Sequence, residues 1–207
     1  MHFDSQDFFF FTGITGYVGG AFFDQWFNKG NVRNDFSIRA LVRSADVAEN
    51  SIRPLGVEYV IGSLDDSHLL IRECANADIV LDFATLGPFT SVKVILKGLS
   101  EHRQPSGRAR PILIHTSGTG VLCDSAFGYY ASEHIYYDSD VRKLSTLAIE
   151  QPHRIMDLEL PSPSLVGRVD TYVVAPPMIR GYGIGPVNQN TIRIPMLVKA
   201  SLKTGRR

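Results

Sequence analysis

The chain predicts an α/β fold organised around a doubly wound parallel sheet, and three observations in its 207 residues lead there. Six short apolar runs alternate with helix-like segments, the spacing of successive βαβ units. The first run, Phe8 to Phe11, is apolar at consecutive positions, as a strand covered on both faces is. It leads into Gly13, Gly16 and Gly19 at three-residue spacing, with a helix-like segment behind them.

In chain order, strands are expected at Phe8–Thr12, Phe36–Val42, Val57–Ile61, Ile79–Phe83, Ile112–His115 and Thr171–Ala175. The helix after the first strand runs Val18–Lys29, with Ala21, Phe22, Trp26 and Phe27 at helical spacing and Gly30 placed to end it. A short helix around Ala45–Asn50 stops before Arg53-Pro54, Ser67–Ala75 follows the third strand, and Thr90–Glu101 follows the fourth. Residues 123–167, with Tyr129, Tyr130, Tyr136 and Tyr137, read as an irregular excursion over one face that includes a helix at His153–Leu160. After the sixth strand, residues 176–186 form a glycine- and proline-rich loop. Pro195–Lys203 reads as a last helix, with proline in its first turn and Gly205 beyond its end. Residues 1–175 are expected to form the nucleotide-binding domain, and residues 176–207 the remnant of a reduced or truncated C-terminal substrate lobe.

Composition narrows the partners. Basic and acidic residues balance at 21 each, which gives no electrostatic footprint for nucleic acid or an anionic membrane surface. No apolar run approaches the ~20 residues of a membrane span, and the N-terminus lacks the basic start of a signal peptide. Cys74 and Cys123 lie far apart, as free thiols in a cytoplasmic protein do. His102, His115, His134 and His153 show no ligand spacing, so no metal site is expected.

The glycine turn predicts a dinucleotide. Gly13 lets the chain leave the strand tightly, Gly16 lets a pyrophosphate approach the backbone, and Gly19 lets the helix pack on the sheet. The helix directs its open N–H groups at the phosphates, so Thr12, Gly13, Thr15, Gly16, Tyr17, Val18 and Gly19 are the expected pyrophosphate contacts. In such folds an acid ending the second strand bonds the adenine-ribose hydroxyl of NAD. Here Arg43, followed by Ser44, stands in that place. A guanidinium suits the 2′-phosphate of NADP, which favours NADP(H) over NAD(H); an ordinary surface arginine is the plain alternative. After the third strand, Leu64 is placed to pack on the adenine and Asp65 to accept its amino group, while Asp65 or Asp66 could instead cap the next helix. Ala84 and Thr85 close the fourth strand, where small residues admit a cofactor. Ser117 and Thr119 close the fifth, and Pro176 walls the nicotinamide pocket after the sixth.

Together these residues resemble the extended and atypical short-chain dehydrogenase/reductase superfamily, over nearly the whole chain. Thr12-Gly-Ile-Thr-Gly-Tyr-Val-Gly19 resembles its TGxxGxxG signature, and Ala40-Leu-Val-Arg43 is similar to the NADP-selective second strand of its NmrA-like and reductase branches. The Thr116-Ser-Gly-Thr-Gly120 turn and the Pro-Pro-x-Ile-x-Gly loop at 176–181 are similar to its later landmarks, and a fungal NAD(P)-binding member is the nearest likeness. The resemblance implies a Rossmann fold, a nicotinamide cofactor and a small-molecule substrate. It also implies a catalytic tyrosine with a lysine four residues later, which this chain lacks: Tyr136 is followed at that distance by Asp140 and Tyr137 by Val141. The dyad belongs near Ala148–His153, which holds no tyrosine, and Ser117 and Thr119 flank the position of the family serine as candidate catalytic hydroxyls.

The expected function is therefore an NADP(H)-dependent oxidoreduction of a carbonyl, imine or enone. A non-redox isomerase, dehydratase or cyclase, and a cofactor-sensing regulator, are the alternatives that the missing dyad raises. A reduced lobe leaves Ile194, Met196, Leu197 and Val198 in need of cover, which predicts a homodimer.

Overall fold

The computed structural model of the chain describes residues 7–29, 36–84, 90–102, 109–124, 126, 129–161 and 167–205. Six strands form one sheet: β1 (Phe8–Thr12), β2 (Ser37–Val42), β3 (Glu58–Ile61), β4 (Ile79–Asp82), β5 (Ile112–Thr116) and β6 (Asp170–Val174). Their order is β3-β2-β1-β4-β5-β6 and every pair is parallel, which is the doubly wound fold the sequence predicts. Helices α1 (Tyr17–Phe23), α2 (Ala45–Val47), α3 (Ser67–Asn76), α4 (Thr90–Ser100), α5 (Val141–Ser145), α6 (Arg154–Glu159) and α7 (Arg193–Thr204) complete it. None of the described helices is long and apolar enough to cross a membrane.

Alternation along β1 builds two cores. Phe9 and Phe11 join Phe23, Phe27, Ile38, Ala40, Ile52 and Leu81 on one face of the sheet. Phe10 joins Leu70, Val80, Ile95, Leu99, Leu113 and Met156 on the other. Four consecutive phenylalanine positions thus serve two faces, the burial expected of an inner parallel strand. Each face buries roughly a dozen apolar side chains, each worth about 1.5–3 kcal/mol of transfer free energy.

The helix expected at Val18–Lys29 is split. After Phe23 it widens into a π-helical turn over Asp24–Asn28, closed by the Lys29 N–H donating to Asp24 O at 3.1 Å. The wider turn accommodates two successive bulky rings, Trp26 and Phe27, both of which reach Phe9 at centroid distances of 5.5 and 5.9 Å. The second helix likewise continues from α2 through a π turn at Ala48–Ile52 into a 3-10 turn at Arg53–Leu55. It runs past Pro54, which sits in that turn's first positions, and ends at Gly56 with φ +73°. Inside the excursion α5 was not foreseen; Asp140 caps it by accepting the Lys143 N–H at 3.0 Å. The segment 148–153, where the resemblance puts a catalytic dyad, is turn and not helix. Helix α7 has Pro195 in its first turn and ends at Gly205 with φ +65°, as expected. Gly30, assigned to end the first helix, lies outside the described residues.

Candidate functional site

The glycine turn lies between the carboxyl ends of β1 and β4, where the strand order reverses. Gly13 has φ +79°, and a Cβ there would meet the Phe83 carbonyl carbon at 2.7 Å and the Ala84 nitrogen at 2.9 Å. Only glycine satisfies both conditions. Gly16 caps α1 in extended conformation, its N–H donating to Gly13 O at 2.9 Å. At Gly19 a Cβ would strike Gly13 O, so the first turn of α1 lies directly on the loop. Thr15, Tyr17 and Val18 are half-buried around it.

A fourth glycine, Gly20, has a different reason. A Cβ there would meet Gly185 Cα and Pro186 Cδ, each at 3.1 Å, because the loop after β6 packs on α1. Tyr17 Oη donates to Gly181 O at 3.1 Å, and a Cβ on Gly183 would run into the Tyr17 ring at 2.8 Å. Pro176 is half-buried, and its carbonyl accepts the Thr119 N–H at 3.1 Å. The loop expected to wall the pocket therefore bears on both the glycine turn and the end of β5.

At the end of β2, Arg43 is exposed and makes no hydrogen bond or ion pair among the described residues. Arg39, four residues earlier, is committed to structure: it bonds Glu58 at 2.7 Å and Glu73 at 2.9 Å. Ser44 caps α2, accepting the Val47 N–H at 3.4 Å. The ambiguity at 65–66 resolves cleanly. Asp66 caps α3 through Leu69 N–H at 3.0 Å, whereas Asp65 stays exposed at the rim and Leu64 packs half-buried beside the core. Ala84 is half-buried at the end of β4; Thr85 lies outside the described residues.

The sequence reading missed a buried polar row. Thr12, Asp82 and His115 are register partners on β1, β4 and β5, and their side chains share the face that carries α3, α4 and α6. Thr12 Oγ1 donates to Asp82 Oδ1 at 2.5 Å, and the Ala84 N–H reaches the same oxygen at 3.3 Å. Nδ1 of His115 is 2.8 Å from Asp82 Oδ2. All three side chains are buried, and a carboxylate so desolvated is tolerable only with donors on both oxygens. A carboxylate partner calls for a proton on Nδ1, and the other ring nitrogen, Nε2, is buried with no hydrogen-bond partner among the described residues.

Two residues beyond His115, Ser117 faces the same side. Its N–H donates to Val174 O at 2.8 Å, prolonging the β5–β6 pairing, and its Oγ donates to Asp157 Oδ2 on α6 at 2.9 Å. Burial pushes the Asp157 carboxyl up from its ordinary range, against the Ser117 hydrogen bond and the charges of His115, His153 and Arg154. Its Oδ1 is a buried atom without a partner among the described residues. His153 precedes α6 with φ +68°, a left-handed conformation found at no other non-glycine residue among those described. Its carbonyl accepts the N–H groups of Met156 and Asp157, and its ring leaves room for no Cβ on Gly118, which would sit 3.1 Å from Nε2. Thr119 is half-buried in the 3-10 turn Thr119–Leu122.

Of the expected residues, the fold thus brings the glycine turn, Ala84, Ser117, Thr119 and Pro176 to one sheet edge, with Arg43, Ser44, Leu64 and Asp65 along its β2–β3 end. The missing tyrosine has no substitute in Tyr136: Lys143 Nζ lies over its ring at 5.0 Å and donates to Ile135 O, away from the phenol oxygen. Asp82 and His115 carried a legible signal, Asp82 as the single polar residue of β4 and His115 as the first polar residue after the apolar run of β5. Asp157 carried none. No group of His, Cys, Asp and Glu among the described residues could hold a metal ion.

No protein-family model matches the chain. Oxidase ucsJ from Acremonium sp is 33% identical over 210 residues, which cover 95% of this chain and 57% of that protein. The chain therefore spans little more than half the length of this curated relative. Among solved structures, the anaerobillin reductase ChuY from Escherichia coli superposes with a TM-score of 0.53 at 12% identity, over 96% of this chain and 90% of its own. A short-chain dehydrogenase from Streptomyces avermitilis does so with a TM-score of 0.52 at 11% identity, over 97% and 79%. At these identities the likeness to the solved structures is one of fold.

Proposed function

We propose that this chain binds NADP(H) along the carboxyl edge of its sheet and acts as a short-chain dehydrogenase/reductase-type oxidoreductase on a small carbonyl, imine or enone. The observation that carries this reading is the turn at Gly13–Gly19. Gly13 is demanded by its positive φ and by the approach of Phe83 and Ala84, and Gly19 by the approach of Gly13 O, at the strand-order reversal where doubly wound folds hold dinucleotides. A pyrophosphate would lie there against the Gly16 end of the helical run from Tyr17 to Asn28. Arg43, exposed and unpaired among the described residues, would meet a 2′-phosphate, with Ser44 beside it and Leu64 and Asp65 toward the adenine. Bound there, the cofactor would supply or accept a hydride. The protein's residues would orient it: Ala84 gives the backbone clearance, Pro176 walls the pocket, and Ser117 and Thr119 present hydroxyls. The relative described as an oxidase and the reductase and dehydrogenase neighbours lend support to a redox role.

Calorimetric titration of NADP⁺, NADPH, NAD⁺ and NADH into the wild type and Arg43→Ala tests it. A charge-assisted contact is worth about 1.5–3 kcal/mol, so the variant is expected to lose about 10- to 150-fold of its NADP affinity while keeping that for NAD. An unchanged preference would remove Arg43 from the pocket; no binding of any nucleotide would end the reading.

The missing tyrosine–lysine dyad favours a second reading, cofactor binding without net turnover. A non-redox isomerase, dehydratase or cyclase would form product with no change in NADPH absorbance. A cofactor-sensing regulator would bind the oxidised and reduced forms with different affinities and turn over neither. We also propose a homodimer, because α7 buries none of its residues and leaves Met196 61% and Leu202 79% exposed.

A further inference from the structure

Beside the cofactor pocket stands a polar pair, a buried serine and a half-buried aspartate. Ser117 and Asp157 meet at 2.9 Å on the carboxyl side of β5, forty residues apart in the chain. A purely structural anchor for α6 would satisfy both carboxyl oxygens, yet Asp157 Oδ1 is a buried atom with no partner among the described residues. So is Nε2 of His115, which stands two residues before Ser117 on the same face. Buried polar groups are nearly always paired, and the exceptions call for a reason beyond packing. The residue that positions Asp157 is itself strained: His153 holds φ +68° while its carbonyl accepts the Asp157 N–H at 3.1 Å. Strain of that kind concentrates where chemistry is done.

We propose that Ser117 and Asp157 are the proton-transfer pair of this protein, with Ser117 Oγ contacting the reacting oxygen of an alcohol or carbonyl substrate and Asp157 acting as the acid–base group behind it. The pair would replace the tyrosine and lysine that the chain lacks, and the proposal rests on the NADP(H) oxidoreductase reading. In oxidation, the substrate hydroxyl gives its proton to Ser117 Oγ as the Ser117 proton passes to Asp157 Oδ2. The substrate C–H bond breaks, its electron pair leaves as hydride to the oxidised nicotinamide, and the C=O bond forms. The substrate loses two electrons, the cofactor gains them, and the proton on Asp157 returns to water. Reduction reverses each step, with protonated Asp157 recharging Ser117. The hydroxyl rotor lets the same 2.9 Å contact serve both directions. Burial raises the carboxyl from its ordinary value, the direction that favours holding a proton. The other groups facing it are His115 from β5 and His153 and Arg154 from the start of α6. The Thr12–Asp82–His115 row fixes the first of these and is a positioning element.

The test is a carbon-13 NMR titration of aspartate carboxyls in the full chain, free, with NADP⁺ and with NADPH. Asp157→Asn assigns the resonance, and calorimetry on the same samples establishes cofactor binding. Three results are expected. The Asp157 midpoint lies above the ordinary carboxylate range. It rises further in Ser117→Ala, which removes a hydrogen bond to the charged form. It falls with NADP⁺ relative to NADPH, because the oxidised ring is positive. Turnover in Ser117→Ala should drop about 10²- to 10⁴-fold, with partial recovery in Ser117→Thr. A midpoint that is identical with the two bound nucleotides would overturn the pair and leave the cofactor reading standing. Failure of both nucleotides to bind would overturn the cofactor reading and the pair with it. If Asp157→Asn does not fold, the two Ser117 variants still decide, since each keeps the carboxyl: a midpoint unmoved in Ser117→Ala overturns the pair.

Discussion

Asp82 shows how much one side chain can organise. It takes Thr12 Oγ1 and the Ala84 N–H on one oxygen and His115 on the other, with the Thr12 and His115 side chains buried. Asp82→Ala would strand two buried donors and the half-buried Ala84 N–H, so a loss of about 3–5 kcal/mol is expected in urea denaturation, far above the typical point mutation. Gly13→Ala forces a Cβ into a left-handed residue against the Phe83–Ala84 backbone. About 1–3 kcal/mol is expected for the conformation alone, together with a drop in NADP affinity measured by calorimetry. Asp157 adds a pH dependence whose sign follows from its raised value. The folded state holds that proton more tightly than the unfolded chain does. Its contribution to stability is therefore complete below the unfolded carboxylate value of about 4 and is lost as pH rises through the folded one. Asp157→Asn stays neutral, so its stability should gain on the wild type as pH rises from about 4 toward neutrality. Denaturant melts across that range check it, and a difference that does not vary with pH would rule out burial as the cause.

At the scale of elements, what could be read from sequence was what is encoded locally. A run such as Ile79-Val-Leu or Ile112-Leu-Ile announces a buried strand by itself, and Gly205 announces a helix end. Gly13, Gly16 and Gly19 announce a phosphate turn because neighbours in the chain are neighbours in the turn. The polar row needed strand register across separations of 70 and 33 residues, and nothing in either strand states its partner. Ser117–Asp157 was hidden for the same reason, with α6 six residues long and its capping residue in an unusual conformation. The π turn after α1 was missed because periodicity measures the direction of side chains and not the width of a turn. Gly20 also looked like surplus in a helix, and tertiary contact explains it. In an isolated helix Gly20→Ala would gain about 1 kcal/mol. Here the Cβ would meet Gly185 and Pro186, so the variant should lose stability and the 181–189 loop should be cut faster in limited proteolysis.

For the molecule as a whole, the carboxyl edge gathers the glycine turn, the polar row and the Ser117–Asp157 pair, while the sixth strand and the last helix present apolar side chains outward. Tyr172, Val173 and Val174 of β6 are exposed along with Met196, Leu197, Val198 and Leu202 of α7. Sedimentation equilibrium is expected to give twice the chain mass of 22.9 kDa, and a single-chain mass at all concentrations would refute the homodimer. The alternation of phenylalanines in β1 has a last consequence. With Phe10 rooted in one core and Phe9 and Phe11 in the other, the strand is a rivet through the sheet, and neither layer can melt while its neighbour persists. Heat should dissolve both in a single event, with calorimetric and van't Hoff enthalpies equal, and a weakened rivet such as Phe10→Ala should lower that one transition without splitting it.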